Sequence, residues 1–210
     1  MIVLTIGIII SYLIGSIPTA YIFGKLLKGI DIRQHGSGNV GATNVFRVLG
    51  KMPGIIVLLL DIYKGFWIVG IVSEILGLIF VWERVILSVA VVAGHNYTIF
   101  LRFKGGKGVA TSLGVLIGLT YRIPTIIPVL ILTLGIFLVV FIFSRIVSLS
   151  SIIAAVSLPF LMFLTSQPAE IRVLGLIFGV FIIYRHKPNI ARLLAGKEPR
   201  VPGFLPSKKS

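Results

Sequence analysis

Residues Ile2 to Phe23 read Ile-Val-Leu-Thr-Ile-Gly-Ile-Ile-Ile-Ser-Tyr-Leu-Ile-Gly-Ser-Ile-Pro-Thr-Ala-Tyr-Ile-Phe, an apolar run without a charged side chain. A helix needs about 20 such residues to cross the hydrocarbon core of a bilayer, so this run is long enough to span, with Pro18 as its expected kink. No basic region precedes it, and it therefore reads as an anchoring helix and not as a cleaved signal. The rest of the chain repeats the pattern. Of 210 residues, 57% are hydrophobic and 12% charged, and the mean hydropathy is +1.08, which is more apolar surface than a water-soluble fold could hide. The runs lack the alternation of barrel strands, which leaves helices to satisfy the backbone in lipid. The expected fold is all-α, a polytopic integral membrane helix bundle. The absence of cysteine excludes disulfides, thiolate metal sites and a cysteine acyl-enzyme.

Six further apolar runs follow. Pro53 opens the second in the position proline prefers at a helix start, and that run continues to about Phe80 with Asp61, Lys64 and Glu74 inside it. Asp61 and Lys64 are three apart, share one helical face and read as a structural ion pair. Val85 to Leu101, Thr125 to Phe143 and Val147 to Leu164 are further spans, whereas Val109 to Tyr121 and Val173 to Tyr184 are short. The first of these short runs is expected to begin below the interface plane, directing free N–H groups of Gly105, Gly106, Lys107 and Gly108 at whatever sits there. The count is seven spans, or five if the two short runs do not cross.

Lysine and arginine placement orients the bundle. With the N-terminus outside and seven crossings, 16 of the 20 basic residues lie inside, and only Arg84, Arg122 and Arg172 lie outside, with Lys64 within a helix. The C-terminus is then cytoplasmic, as are three polar islands at 36–47, 94–111 and 185–199. Residues 1–199 read as a single transmembrane domain and 200–210 as a flexible basic cytoplasmic tail. The five-span alternative moves Arg145 and Ser148 outside.

The islands carry the chemistry. Gly36 to Arg47 reads Gly-Ser-Gly-Asn-Val-Gly-Ala-Thr-Asn-Val-Phe-Arg. Its glycines let backbone N–H groups approach an anion, Ser37, Asn39, Thr43 and Asn44 add donors, and Arg47 adds a planar cation. It is not a P-loop, because no Gly-Lys-Ser/Thr closes it. The bland reading of the basic residues is topology and attraction to anionic lipid headgroups, which suits Lys25, Lys28 and the tail. It suits poorly Lys104 and Lys107 flanking Gly105-Gly106, or Arg47 closing a run of small polar residues. Those placements point to a site for two phosphates.

Three segments carry a resemblance: Gly36 to Asn44; Gly94-His95 followed by Phe103-Lys-Gly-Gly-Lys-Gly-Val-Ala-Thr111; and Arg185-His186 with Asn189-Ile190 and Arg192-Leu193-Leu194. In order and spacing they resemble the cytoplasmic motifs of the bacterial acyl-phosphate:glycerol-3-phosphate acyltransferases, the PlsY family. Asp61-Ile-Tyr-Lys-Gly65 and Arg145-Ile-Val-Ser-Leu-Ser-Ser151 are similar to family segments as well. One departure is Lys187-Pro188, where the family usually keeps a proline-free link between its His and Asn.

The resemblance implies acyl phosphate as donor, glycerol 3-phosphate as acceptor, lysophosphatidic acid and phosphate as products, and residence in the bacterial plasma membrane among its lipids. It also implies substrate-assisted catalysis, with the donor phosphate accepting the proton. It places Ser37, Asn39, Arg47 and Lys107 at the phosphates, and Ser151, His186 and Asn189 on the acceptor or the reacting groups. Lys104, Thr43, Asn44, His95 and Ser148 are second choices for binding. His95 stays open between substrate binding and capping of backbone carbonyls at a helix end. Asp31 and Glu198, flanked by basic residues, are not expected to act as bases, and no His is followed by Asp five positions on.

No metal or cofactor is expected, because no acidic cluster has hard-cation spacing. Nucleic acid is not an expected partner, because the charge is spread over short loops. The competing class is a transporter or channel for an organic phosphate, which would place its site near the bilayer midplane between repeated halves. A scaffold that only binds anionic lipid leaves the Ser, Asn and Thr content unexplained.

Overall fold

A computed structural model describes residues 1–201, and all its regular elements are helical. Most of the expected tail, 202–210, lies outside the described residues. The first apolar run forms α1 (Ile2–Ser16) and α2 (Thr19–Lys28), broken at Ile17-Pro18. Proline has no N–H to continue the ladder and its ring crowds the preceding turn, so the break falls where the sequence placed a kink. A short turn at Ile32–Gln34 leads to α3 (Ala42–Val48) and α4 (Lys51–Phe66). Helix α4 starts two residues earlier than Pro53, which sits third in its first turn, where its missing N–H costs nothing.

The helix continues through a π-helical stretch, Trp67–Val72, into the short α5 (Ser73–Ile75). There follow α6 (Val81–Asn96), α7 (Val109–Thr120), α8 (Ile127–Ser144), α9 (Val147–Leu164), α10 (Ala169–Arg185) and α11 (Lys187–Leu194). The last long helix is larger than its apolar run suggested. Glu170 and Arg172, which precede the apolar run, form its first turn.

Among the described residues, five segments are long and apolar enough to cross a membrane: Ile2–Lys28, Lys51–Ile75, Val81–Leu101, Pro124–Ser144 and Val147–Leu164. With 12 and 17 residues, α7 and α10 are about 18 and 26 Å long, against a core of roughly 30 Å.

Small residues bring the helix backbones into contact. A Cβ at Gly15 would strike the Val91 carbonyl and one at Gly94 the Tyr12 carbonyl, locking α1 onto α6. Gly65 and Gly114 do the same for α4 and α7. The apolar core lies among the π-helical stretch, α6, α7, α9 and α10. A smaller cluster of Ala20, Val40, Val45, Val57 and Leu101 seats the Gly36–Arg47 stretch on α2 and α4.

The two ends of the bundle differ. At one, the Glu74 carboxylate accepts from Arg84 (2.7 Å) and Arg122, while buried Arg84 also donates to Val69 O (3.1 Å) and Ser73 Oγ (2.7 Å). The other end carries all three polar islands. Between the ends, Asp61 and Lys64 pair at 2.9 Å, as their spacing led us to expect. Thr19 donates to Asp61 (2.7 Å) and Lys64 lies 2.8 Å from His95 Nδ1, so each buried charge has partners.

Candidate active site

The first wall is built around Asn44. Gly36 has φ +61°, and a Cβ there would meet the Asn44 side chain, so the turn requires glycine. Buried Asn44 donates to the carbonyls of Ile32 (3.2 Å) and His35 (3.0 Å) and accepts the Ser37 N–H (2.8 Å). Its amide is thus committed to the loop, leaving Ser37, Gly38 and Asn39 to face the cleft.

The second wall departs from expectation. Helix α7 begins at Val109, and the N–H groups of Gly105 and Gly106 are not free: they donate to Asn96 O (3.1 Å) and His95 O (3.0 Å). The last carbonyls of a helix lack intrahelical partners, and here the glycine loop folds back to supply them. The carbonyls of the same two glycines accept from Arg185, at 2.8 Å for Gly105 and 3.0 Å for Gly106.

The third wall is α11, which starts with Pro188 in its first turn. Lys107 Nζ donates to Asn189 Oδ1 (2.5 Å), and Asn189 Nδ2 donates to Glu198 Oε1 (2.5 Å). The same carboxylate accepts from Ser148 Oγ (2.6 Å) and Arg192 Nε (2.7 Å). Glu198 is the residue that sequence reasoning passed over. Gly196, with φ +66°, turns the chain back after α11, and a glycine ending a short amphipathic helix is the signal that could have drawn attention to it.

Together these walls enclose a cleft of about 800 Å³ lined from 31–40, 103–107 and 184–192. Arg33, Lys104, Lys107, Arg185, Lys187 and Arg192 line it against one lining carboxylate, Asp31. An anion is what such a lining attracts. Among the described residues, no group of three His, Asp or Glu side chains gathers to hold a metal ion.

Burial, with help from Arg192, Arg185 and Arg47 and against Glu198, pushes Lys107 down to about 8. Burial likewise pushes His186 down to about 4, aided by Lys107. Burial raises Glu198, but bonds from Ser148, Asn189 and Arg192 outweigh it and hold the carboxyl below its ordinary range.

The histidines are distinguished by their partners. His186 Nδ1 lies 2.7 Å from the Ile182 carbonyl, which can only accept, so Nδ1 carries the proton and Nε2 the lone pair. His95 Nδ1 faces the Lys64 ammonium, which can only donate, so its proton is on Nε2, beside Gly106. His95 therefore does not cap carbonyls with its ring; it is buried in the Asp61–Lys64 network.

Of the expected site residues, Ser37, Asn39, Lys104, Lys107 and Asn189 line the cleft. Ser148 joins them through Glu198. Ser151 lies one turn further along α9 with its hydroxyl on Val147 O (2.9 Å), and buried His186 sits immediately before α11. Thr43 and Arg47 are exposed on α3 outside the lining, although Arg47 is near enough to act on Lys107.

Residues 5–196 match the model of the glycerol-3-phosphate acyltransferase family. A glycerol-3-phosphate acyltransferase of Thermosynechococcus vestitus is 47% identical over 201 residues, covering 92% of each chain. The chain belongs to the glycerol-3-phosphate acyltransferase family. It also superposes on a crystal structure of PlsY, an integral membrane glycerol 3-phosphate acyltransferase, in its glycerol 3-phosphate form. That match has a TM-score of 0.85 and 41% identity, covering 95% of this chain and 96% of the other. The lysophosphatidic acid form of PlsY matches with a TM-score of 0.82 and the same identity, over 95% of each chain. Within this acyltransferase family fold, the three islands read as separate motifs in the sequence form one cleft at one end of the bundle.

Proposed function

We propose that this chain transfers a fatty acyl group from acyl phosphate to the 1-hydroxyl of sn-glycerol 3-phosphate, giving lysophosphatidic acid and inorganic phosphate. The carrying observation is the cleft: six cations and the Ser37, Asn39 and Asn189 side chains converge at the end of an apolar bundle. Each substrate brings a phosphate, and the donor brings an acyl tail that belongs in lipid. The likeness to a PlsY solved in glycerol 3-phosphate and lysophosphatidic acid forms supports the acceptor and the product. A site at one end of the bundle is not the midplane arrangement that transport would require.

The acceptor oxygen attacks the acyl carbonyl carbon, the bond from that carbon to the phosphate oxygen breaks, and the hydroxyl proton goes to the departing phosphate. The anhydride is already activated, so the protein's work is alignment and charge stabilisation. Lys107 neutralises the donor phosphate and the developing oxyanion, with Ser37, Asn39, Lys104 and Arg47 on the phosphates. His186 Nε2, as an acceptor, orients the acceptor hydroxyl, with Asn189, Ser148 and Ser151 completing the reacting set. Asn44 and His95 shape the walls.

Residues 1–199 form the acyltransferase domain. The orientation we propose has seven crossings, an external N-terminus and the cleft facing the cytoplasm of a bacterial plasma membrane. In support, α7 runs from the cleft end to Arg122 beside Glu74, and α10 returns to the cleft. The donor is tested by giving purified protein radiolabelled glycerol 3-phosphate with either palmitoyl phosphate or palmitoyl-CoA. Labelled lysophosphatidic acid should form from the phosphate; formation from the thioester alone would overturn the donor assignment.

A further inference from the structure

Arg185 ends α10, and its guanidinium does not point its whole fork at the cleft. Nε donates to Gly106 O (3.0 Å) and Nη2 to Gly105 O (2.8 Å). The N–H groups of these two glycines are taken by Asn96 and His95, so every backbone polar group of the pair is held: α6 on one side, Arg185 on the other. Both glycines are buried and leave no room for a side chain. A Cβ on Gly105 would meet the His95 carbonyl, and one on Gly106 the His95 ring. The guanidinium is itself fixed, lying 5.2 Å from the Tyr97 ring, whose residue accepts a bond from Tyr12 Oη (2.7 Å). Directly after this segment comes Lys107, bonded to Asn189 four residues beyond Arg185.

We infer that Arg185 is a positioning residue for acyl transfer: by bridging the two carbonyls of Gly105-Gly106 it fixes where Lys107 presents its ammonium in the cleft. This rests on the reading of the cleft as the substrate site. A planar fork with N–H groups in fixed geometry holds two neighbouring carbonyls in one arrangement; an ammonium has three donors but is a compact charge on a flexible stem and does not impose that geometry. The same residue ties the second island to the third, because His186 and Asn189 follow it directly in the chain.

The test compares Arg185→Lys, Arg185→Gln and Lys107→Ala with wild type, each purified in detergent, by kcat, KM for both substrates, and the pH profile. Charged groups facing Lys107 are Glu198, Arg192 and Arg47, with Arg185 itself; Lys104 shares its loop and His186 lies nearby. Arg185→Lys keeps the charge and loses the bridge, so kcat should fall at least tenfold with both KM values within threefold of wild type and the alkaline limb in place. Arg185→Gln also removes a positive neighbour, so the alkaline limb set by Lys107 should move to higher pH on a lowered plateau.

Wild-type kcat in Arg185→Lys overturns the inference. So does a raised KM at unchanged kcat, which would make Arg185 a direct phosphate ligand. Failure of Arg185→Lys to fold marks a purely structural role and equally overturns it. An unmoved limb in folded Arg185→Gln contradicts it too, and if that variant does not fold, Arg185→Lys alone decides. Full activity in Lys107→Ala would instead overturn the reading of the cleft.

Discussion

At Lys107, burial and the neighbouring charges compete over one proton. Burial and three arginines push it down to about 8 while Glu198 opposes them. The cationic form is the one that can hold phosphate, so activity is present below that value and falls as the pH rises through it. Above pH 5 His186, at about 4, stays neutral and contributes no acid limb. The kcat/KM profile should therefore show an alkaline limb near pH 8. Residual activity in Lys107→Arg should lack that limb, because guanidinium keeps its proton. Glycerol 3-phosphate must be titrated in parallel, since a phosphate monoester ionises near pH 6, about as phosphoserine does. Lys107→Ala should cost about 10²–10³ in kcat, the usual cost of losing one preorganised charge partner. A profile flat through pH 9 would contradict the assignment. At this scale type and spacing singled out Ser37, Asn39 and Lys107, which line the cleft, and equally Thr43 and Arg47, which do not. Glu198 was harder to single out: only the Gly196 turn marks it locally, and its bond from Ser148 comes from 50 residues away. The role of His95 was not legible, because its partner Lys64 belongs to another helix.

Helix α7 shows how an element shorter than a bilayer is held. Its boundaries followed from the apolar run, but its packing did not, because the contact is backbone against backbone. A Cβ at Gly114 would collide with the Ile62 carbonyl on α4. Gly114→Val should therefore lower stability by roughly 1–3 kcal/mol or prevent folding, as overpacking does. Gly135→Ala, on α8 with open space around it, should be neutral or stabilising by up to about 1 kcal/mol. Thermal melts in one detergent check both, and equal effects would contradict close α4–α7 packing. The expectation of free N–H groups at Gly105 and Gly106 failed at this scale as well. Sequence reading treats a loop as open to ligand, whereas here the unpaired carbonyls ending α6 claim it first.

Across the whole molecule, charge separates the two ends. Composition and apolar run lengths were enough for an all-helical membrane bundle, and basic-residue placement was enough to gather the islands at one end. Whether the two shorter helices cross depends on packing and tilt, which run length alone does not specify. The proposed orientation is checked with single cysteines at two exposed positions, Arg145→Cys near the cleft and Tyr121→Cys at the opposite end. An impermeant thiol reagent should label the first only from the cytoplasmic side and the second only from outside; the reverse pattern would contradict the proposed seven crossings and orientation. The most direct measurement is phosphate release by the purified protein. With palmitoyl phosphate and glycerol 3-phosphate together, phosphate and lysophosphatidic acid should appear in equal amounts, with neither substrate sufficient alone and Lys107→Ala nearly silent. Phosphate release independent of glycerol 3-phosphate, or none at all, would contradict the account.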